Sequence, residues 1–151
     1  MKQGEVEILA SRLLSVHGLK KLGWTYKFIR AKKISGQCYY DKKIIELSLP
    51  FVLVNNFATV NNTILHEIAH ALTEGHFHDE VWQAMCVKIG ARPDPLWGED
   101  VVKPALRFQA ICPECQHVYR RDKMPKNMLA CDCQRKKPQE AMVPLEFKST
   151  S

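Results

Sequence analysis

His66-Glu67-Ile68-Ala69-His70 places two imidazoles one helical turn apart, with a carboxylate beside the first. On a helix, positions i and i+4 share a face, so His66 and His70 can share a Zn²⁺ ion while Glu67, about 100° further round, stays free. Zinc lowers the pKa of a bound water toward about 7, and a carboxylate within reach can take its proton as the oxygen attacks a carbonyl. This is metallohydrolase chemistry, with Glu67 as the base. Such a site needs a third protein ligand and an open fourth position, and the chain offers His76 and His78 just past the motif. His76 has the spacing of the third ligand in H-E-x-x-H-x-x-G-x-x-H, but Thr73 occupies the glycine position and Gly75 comes two residues later. His78 opens His78-Asp79-Glu80-Val81-Trp82, ahead of a helical run in which Val81, Trp82, Met85, Val87 and Ile89 form a packing face. A ligand at that helix start would be rigidly held. On the residues alone, both imidazoles remain candidates.

The elements that must position these groups leave their own patterns. Asn61 and Asn62 are candidate caps for the motif helix; Ile64, Leu65, Ile68, Ala69, Ala71 and Leu72 give it a broad apolar flank, and Gly75 offers a stop. Val6, Leu9, Ala10, Leu13 and Leu14 recur at helical spacing near the start, where Glu7 and Arg12 interrupt any apolar run, so the segment reads as an amphipathic helix and not a signal peptide. Between the two helices the period changes to two. Trp24, Tyr26 and Phe28 alternate with Thr25 and Lys27, and the stretches Gln37 to Tyr40 and Ile44 to Ser48 are rich in β-formers. These predict a small antiparallel sheet, with Asp41-Lys42-Lys43 joining the later pair and the three aromatics in the core. A sheet edge beside a metal can hold an extended peptide as an added strand.

Cysteine usage marks a second unit. Cys112-Pro113-Glu114-Cys115 and Cys131-Asp132-Cys133 bring together four thiols, and in a chain without a secretory signal metal binding is favoured over disulfides. The expectation is a tetrahedral structural zinc site in a ribbon, with His117 as a conceivable substitute ligand for the tight C-x-C knuckle. Cys38 and Cys86 lie in apolar settings and read as small buried hydrophobes. A chain of 151 residues with 46% hydrophobic content can bury one core and a small metal-stapled appendage. The expected division is a core over 1–100, a ribbon over 104–137 and a tail, partly disordered, over 138–151. Pro93, Pro95, Gly98 and Pro104 would form the crossing segment. Apolar runs such as Phe51-Val52-Leu53-Val54 are far too short for a membrane span, so a soluble, cytoplasmic or otherwise intracellular protein is expected.

Net charge is +6, but it divides as +6 over residues 1–50, −5 over 51–100 and +5 over 101–151. Four thiolates and one Zn²⁺ would lower the last value to about +3. The basic ends could embrace a polyanion. Arg107, Arg120, Arg121, Lys123, Lys126, Arg135, Lys136 and Lys137 crowd the ribbon, and Phe108, His117 and Tyr119 are available to stack on bases. DNA is thus a candidate partner, although Lys and Arg are also ordinary solubilising residues.

His66-Glu67-Ile68-Ala69-His70-Ala71-Leu72, then Gly75-His76, then His78 four residues before Trp82, resembles the SprT-like (Spartan-type) zinc metalloproteases, over a stretch from about Glu5 to about Cys133. In that family the third ligand is a His a few residues before an aromatic, which favours His78 over His76; Asp79 stands where glycine is commoner. The resemblance implies an α+β fold, with a minimal zincin-like core followed by a zinc ribbon. It implies two zinc ions: a catalytic one on His66, His70 and His78 with Glu67 as base, and a structural one on Cys112, Cys115, Cys131 and Cys133. It also implies peptide-bond hydrolysis in proteins bound or crosslinked to DNA, a role in DNA–protein crosslink repair, with the ribbon contacting the nucleic acid. The alternative is a DNA-binding or regulatory protein that keeps a zinc-stabilised zincin fold with little protease activity.

Overall fold

The structure is a computed structural model that describes residues 1–94, 98 and 100–150. It divides into two compact units, Met1–Pro104 and Ala105–Ser151. Among the described residues no helix is long and apolar enough to cross a membrane. Of the predicted crossing segment, Pro95 lies outside the described residues.

The first unit opens with helix α1, Gln3–Val16, which buries Val6, Ala10 and Leu14 at i, i+4 and i+8. Strands β1 (Thr25–Ile29), β2 (Gly36–Tyr39) and β3 (Ile44–Ser48) follow, then helices α2 (Leu49–Val54), α3 (Phe57–Leu72) and α4 (Glu80–Ile89). The sheet order is β1-β3-β2. β2 and β3 form the expected antiparallel pair, Cys38 opposite Ile45, but β1 runs parallel to β3, Tyr26 opposite Ile45. The sheet is therefore mixed, correcting the all-antiparallel expectation. Ile45 and Leu47 of β3 are buried, so β3 takes the centre, and because β2 runs opposite to it, β1, which precedes β2 and is reversed relative to it, lies parallel on the other side of β3.

One core forms between α1, the sheet and α3, with Leu14, Leu19, Phe51, Val60, Ile64 and Ile68 among its buried members. Trp24 is 7% exposed and Tyr26 and Phe28 pack against this cluster, as the alternation predicted. The opposite flank of α3, through Leu65 and Ala69, packs on Trp82 and Cys86 of α4. Helix α3 is thus buried on two sides.

Its start differs from the sequence reading. Asn56 is the N-cap, its side chain accepting the Thr59 N–H at 3.0 Å, and Asn61 and Asn62 lie inside the helix. A tertiary bond compensates for an interior asparagine: Asn62 Oδ1 accepts the Arg92 backbone N–H at 2.7 Å. The end comes before Gly75. Thr73 closes the helix, its N–H bonding the His70 carbonyl at 3.1 Å and its hydroxyl the Ala69 carbonyl at 2.7 Å. In α4, Asp79 caps the start by accepting the N–H groups of Val81 and Trp82, both at 3.1 Å. Val81 and Val87, predicted for its packing face, are instead exposed, while Trp82 and Cys86 at i and i+4 are buried.

The second unit is a sheet of order β5-β4-β6, built from β4 (Phe108–Ile111), β5 (Val118–Arg121) and β6 (Lys148–Ser149), all antiparallel. Residues after Pro138 are not a loose tail: β6 pairs with β4, and Leu145 is 8% exposed within the unit's core. Gln134, fully buried, ties that segment down, its side chain donating to the Val143 carbonyl at 3.1 Å and accepting the Val143 N–H at 2.6 Å.

Candidate metal centres

Helix α3 presents His66 and His70 on one face, one turn apart, and the loop into α4 returns His78 to meet them. The Nε2 atoms of His70 and His78 are 3.1 Å apart, and those of His78 and His66 3.3 Å apart. Tetrahedral zinc with bonds of about 2.0–2.1 Å sets ligand nitrogens about 3.3 Å apart, so the donor set and its spacing fit such an ion. His76 goes elsewhere, its Nδ1 2.7 Å from Asp79 Oδ2. The structure thus brings His78, and not His76, to the pair. His78 has φ 57, a left-handed conformation uncommon for a non-glycine residue, adopted just ahead of the Asp79 cap.

Trp82 forms the floor. Its fully buried ring stacks on His70 at 5.2 Å between centroids and meets His66 and His78 edge-on at 4.7 and 4.5 Å. Burial, aided by the neighbouring imidazoles His70 and His78, pushes His66 down to about 3. Burial and His78 push His70 down to about 4, with a hydrogen bond to the His76 backbone acting the other way. Both rings are therefore held neutral, the form a metal requires. The Tyr40 hydroxyl donates to the His70 carbonyl at 3.0 Å and steadies the last turn of α3.

Glu67 is 5% exposed, and burial pushes its carboxyl up to about 8. A cation on the adjacent imidazoles would oppose that shift, because positive charge favours the carboxylate. The edge strand β2 walls it in through Gly36, where an added Cβ would lie 2.9 Å from Glu67 Cγ and 3.0 Å from its Oε1. It would also lie 3.1 Å from the Glu46 carbonyl, so it could not simply shift toward the sheet. Gly36 escaped the sequence reading because a single glycine within Ser35-Gly36-Gln37 looks like any turn residue. Two cavities, of about 490 and 270 Å³, both reach Gly36, His66 and Glu67. The smaller also contains His70, His78 and the side chains of Cys38, Tyr40 and Phe77.

The second cluster joins the two cysteine knuckles. Cys112 Sγ lies 3.6 Å from Cys133 Sγ, and Cys115 Sγ 3.5 Å from Cys131 Sγ. Bonds of about 2.3 Å to a tetrahedral zinc set sulfurs about 3.8 Å apart, so this donor set also fits. His117 is outside the cluster. Tyr119 is committed to it: its hydroxyl is 3.1 Å from Cys131 Sγ, and this contact leads in holding that thiol down to about 6. The His117 ring meets the Tyr119 ring edge-on at 4.6 Å. Cys38 and Cys86 lie apart from the cluster, and burial pushes their thiols up to about 12 and about 11.

The basic residues of the ribbon fall into two groups. Arg107 pairs with Asp122 at 3.2 Å, Arg135 with Asp132 at 2.8 Å, and Lys137 with Glu114. Arg120, Lys123, Lys126 and Lys136 are exposed, as is Arg121, whose guanidinium lies over the Phe147 ring at 5.8 Å.

A helix carrying His66, Glu67 and His70, completed by His78, is the donor arrangement of an HExxH-type metallopeptidase site. The chain is similar to an uncharacterized protein of Mycoplasma pneumoniae (strain ATCC 29342 / M129 / Subtype 1), with 40% identity over 63 residues. That match covers 40% of this chain and 17% of the relative's length. Residues 11–100, which include the whole histidine cluster, match the SprT-like family, and the chain belongs to that family.

Proposed function

We propose that the protein is a zinc-dependent endopeptidase that acts on DNA-bound or DNA-crosslinked proteins. The observation that supports it best is the convergence of the His66, His70 and His78 Nε2 atoms beside a buried Glu67 that faces two cavities. His66, His70 and His78 would hold a zinc ion, and Cys112, Cys115, Cys131 and Cys133 a structural one. Zinc bound at the histidines supplies Lewis acidity, activating water and polarising a carbonyl. Glu67 as the carboxylate accepts the proton of the attacking water, and as the acid it returns a proton to the amine nitrogen when the C–N bond breaks. Trp82 and Tyr40 keep the imidazoles oriented through both steps. The exposed edge β2 borders the smaller cavity through Gly36, Gln37 and Cys38, where an extended substrate segment can add as a strand.

The DNA-linked part rests on the family resemblance and on the exposed cations of the ribbon. Holding enzyme and substrate on one polyanion raises their effective concentration without a new chemical step. The test compares wild type and Glu67→Gln for cleavage of a DNA-bound protein, with and without DNA. Glu67→Gln should cost on the order of a hundredfold or more in cleavage and leave DNA binding intact. Replacing Arg120, Arg121 and Lys123 should reduce the salt slope of binding by up to about one per lost phosphate contact. If wild type binds no DNA at low salt, or cleaves free and DNA-bound proteins equally, a general zinc peptidase becomes the better reading. A two-zinc protein that cleaves neither would point to the regulatory alternative.

A further inference from the structure

Phe77 is 74% exposed, yet the segment that carries it is anchored on both sides. Before it, the His76 N–H donates to the Thr73 carbonyl at 3.0 Å, and His76 Nδ1 lies 2.7 Å from Asp79 Oδ2. After it, the His78 carbonyl accepts the Gln83 side-chain amide at 3.1 Å, and the His78 ring is committed to the histidine cluster. A phenyl ring held in water by a fixed backbone is apolar surface that a ligand can cover without first ordering a loop. That ring borders the cavity of about 270 Å³ that holds the histidines and Glu67. Apart from the groups the chemistry uses, the lining has one character. Gly36 and Cys38 share one face of β2 and Tyr40 follows at the same spacing, while Gln37 belongs by alternation to the other face. Gly36 offers no side chain, and Cys38 behaves as a small hydrophobe. The Tyr40 hydroxyl is spent on the His70 carbonyl at 3.0 Å, which leaves its ring. Glu67 and Glu74 both act electrostatically on Cys38 and Tyr40. A divalent ion on the histidines would offset those two carboxylates, so a charged side chain of either sign would lose hydration here for no net attraction. An apolar side chain gains by leaving water.

Resting on the endopeptidase reading, we infer that Phe77, with Cys38 and Tyr40, forms a specificity subsite that takes one bulky apolar substrate side chain, aromatic or branched aliphatic, next to the scissile bond. A segment added to the edge of β2 turns alternate side chains to the face of Gly36 and Cys38, so the preference falls at one position and not at its immediate neighbours.

The experiment uses a mixture of peptides from a digested proteome. The zinc-loaded protein is given the mixture and its cut sites are read by mass spectrometry; in parallel, immobilised Glu67→Gln protein, with and without Phe77→Ala, is used to retain peptides from it. Phe, Tyr, Trp, Leu, Ile and Met together should be enriched about threefold or more at one position flanking the cut, the size expected for contact with one aromatic ring. Phe77→Ala should bring that enrichment close to one while zinc content stays at the wild-type level, and Phe77→Leu should keep part of it. A merely structural role for Phe77 would lower cleavage of all peptides in proportion and leave the enrichment unchanged. Cleavage without apolar enrichment, with enrichment of charged residues instead, or with equal enrichment in Phe77→Ala overturns the subsite and leaves the endopeptidase reading standing. Retention of apolar peptides that depends on Phe77, with no cleavage by wild type, supports the subsite and overturns the endopeptidase reading alone; failure of both retention and cleavage overturns both.

Discussion

The histidine cluster sits in a unit whose core is complete without it: Val6, Leu14, Phe51, Ile64 and Ile68 are all fully buried, and Trp82 supports the imidazoles from below. In the cysteine unit the buried cluster is Ala110, Cys112, Cys131 and Leu145, so two of its four members are themselves prospective ligands. The first site is a feature carried by a fold. The second supplies half of its unit's buried apolar cluster, as expected for a segment too short to bury enough apolar surface unaided. The comparison teaches that a metal can be chemistry in one half of a chain and architecture in the other, and that removing it should separate the two.

Chelation, or Cys112→Ser, gives the largest effect. Structural zinc contributes on the order of 10 kcal/mol to small domains, so amide-exchange protection over residues 105–150 should be lost while α1, α3 and the first sheet keep theirs. Protection that persists in the second unit without metal would break the contrast. A smaller effect is expected from Gly36→Ala, where the added methyl must displace Glu67. Overpacking of this kind costs about 1–3 kcal/mol, and peptide cleavage should fall about tenfold or more while zinc content remains at two. Unchanged cleavage would show that β2 does not set the carboxylate's position. The smallest effect is a pH dependence of the first unit in chelated protein. Glu67 ionises near 4.5 when unfolded and near 8 when buried, so between those values the folded state holds an extra proton and stability falls as pH rises. His66 and His70, held near 3 and 4 against an ordinary 6.5, act oppositely, and their contribution is lost as pH falls below 6.5. Stability of the metal-free first unit should therefore peak near pH 6.5 and drop by about 1–2 kcal/mol toward pH 8. Glu67→Gln should remove that drop; an unchanged drop would assign it to another group.

What could be read in advance follows the range of each interaction. His66, Glu67 and His70 were legible because helical geometry acts over four residues, and the cysteine knuckles because two close pairs need only meet once. The choice between His76 and His78 was less accessible, since it depends on a left-handed backbone at His78 and a hydrogen bond that draws His76 toward Asp79. The parallel pairing of β1 with β3 is a non-local outcome that alternation in Trp24 to Phe28 cannot encode. Asn56 was passed over as a cap because Asn61 and Asn62 carry the same chemistry nearer the motif, and the Arg92 contact that makes Asn62 acceptable inside a helix comes from thirty residues away. The strand at Lys148–Ser149 is only two residues long and leaves no periodicity to detect.

The thiols have a consequence for the chain's covalent reactivity. Alkylating and oxidising reagents attack the thiolate, and burial holds Cys38 at about 12 and Cys86 at about 11, so at neutral pH both remain almost wholly in the unreactive form. Within the four-cysteine cluster the thiolate character gathers on Cys112 and Cys131, which neighbouring hydrogen bonds push down, while Cys115 and Cys133 are pushed up, and a bound metal would mask all four. The six cysteines thus divide into two that burial keeps protonated at neutral pH and four whose exposure to reagents would follow the gain or loss of a single ion.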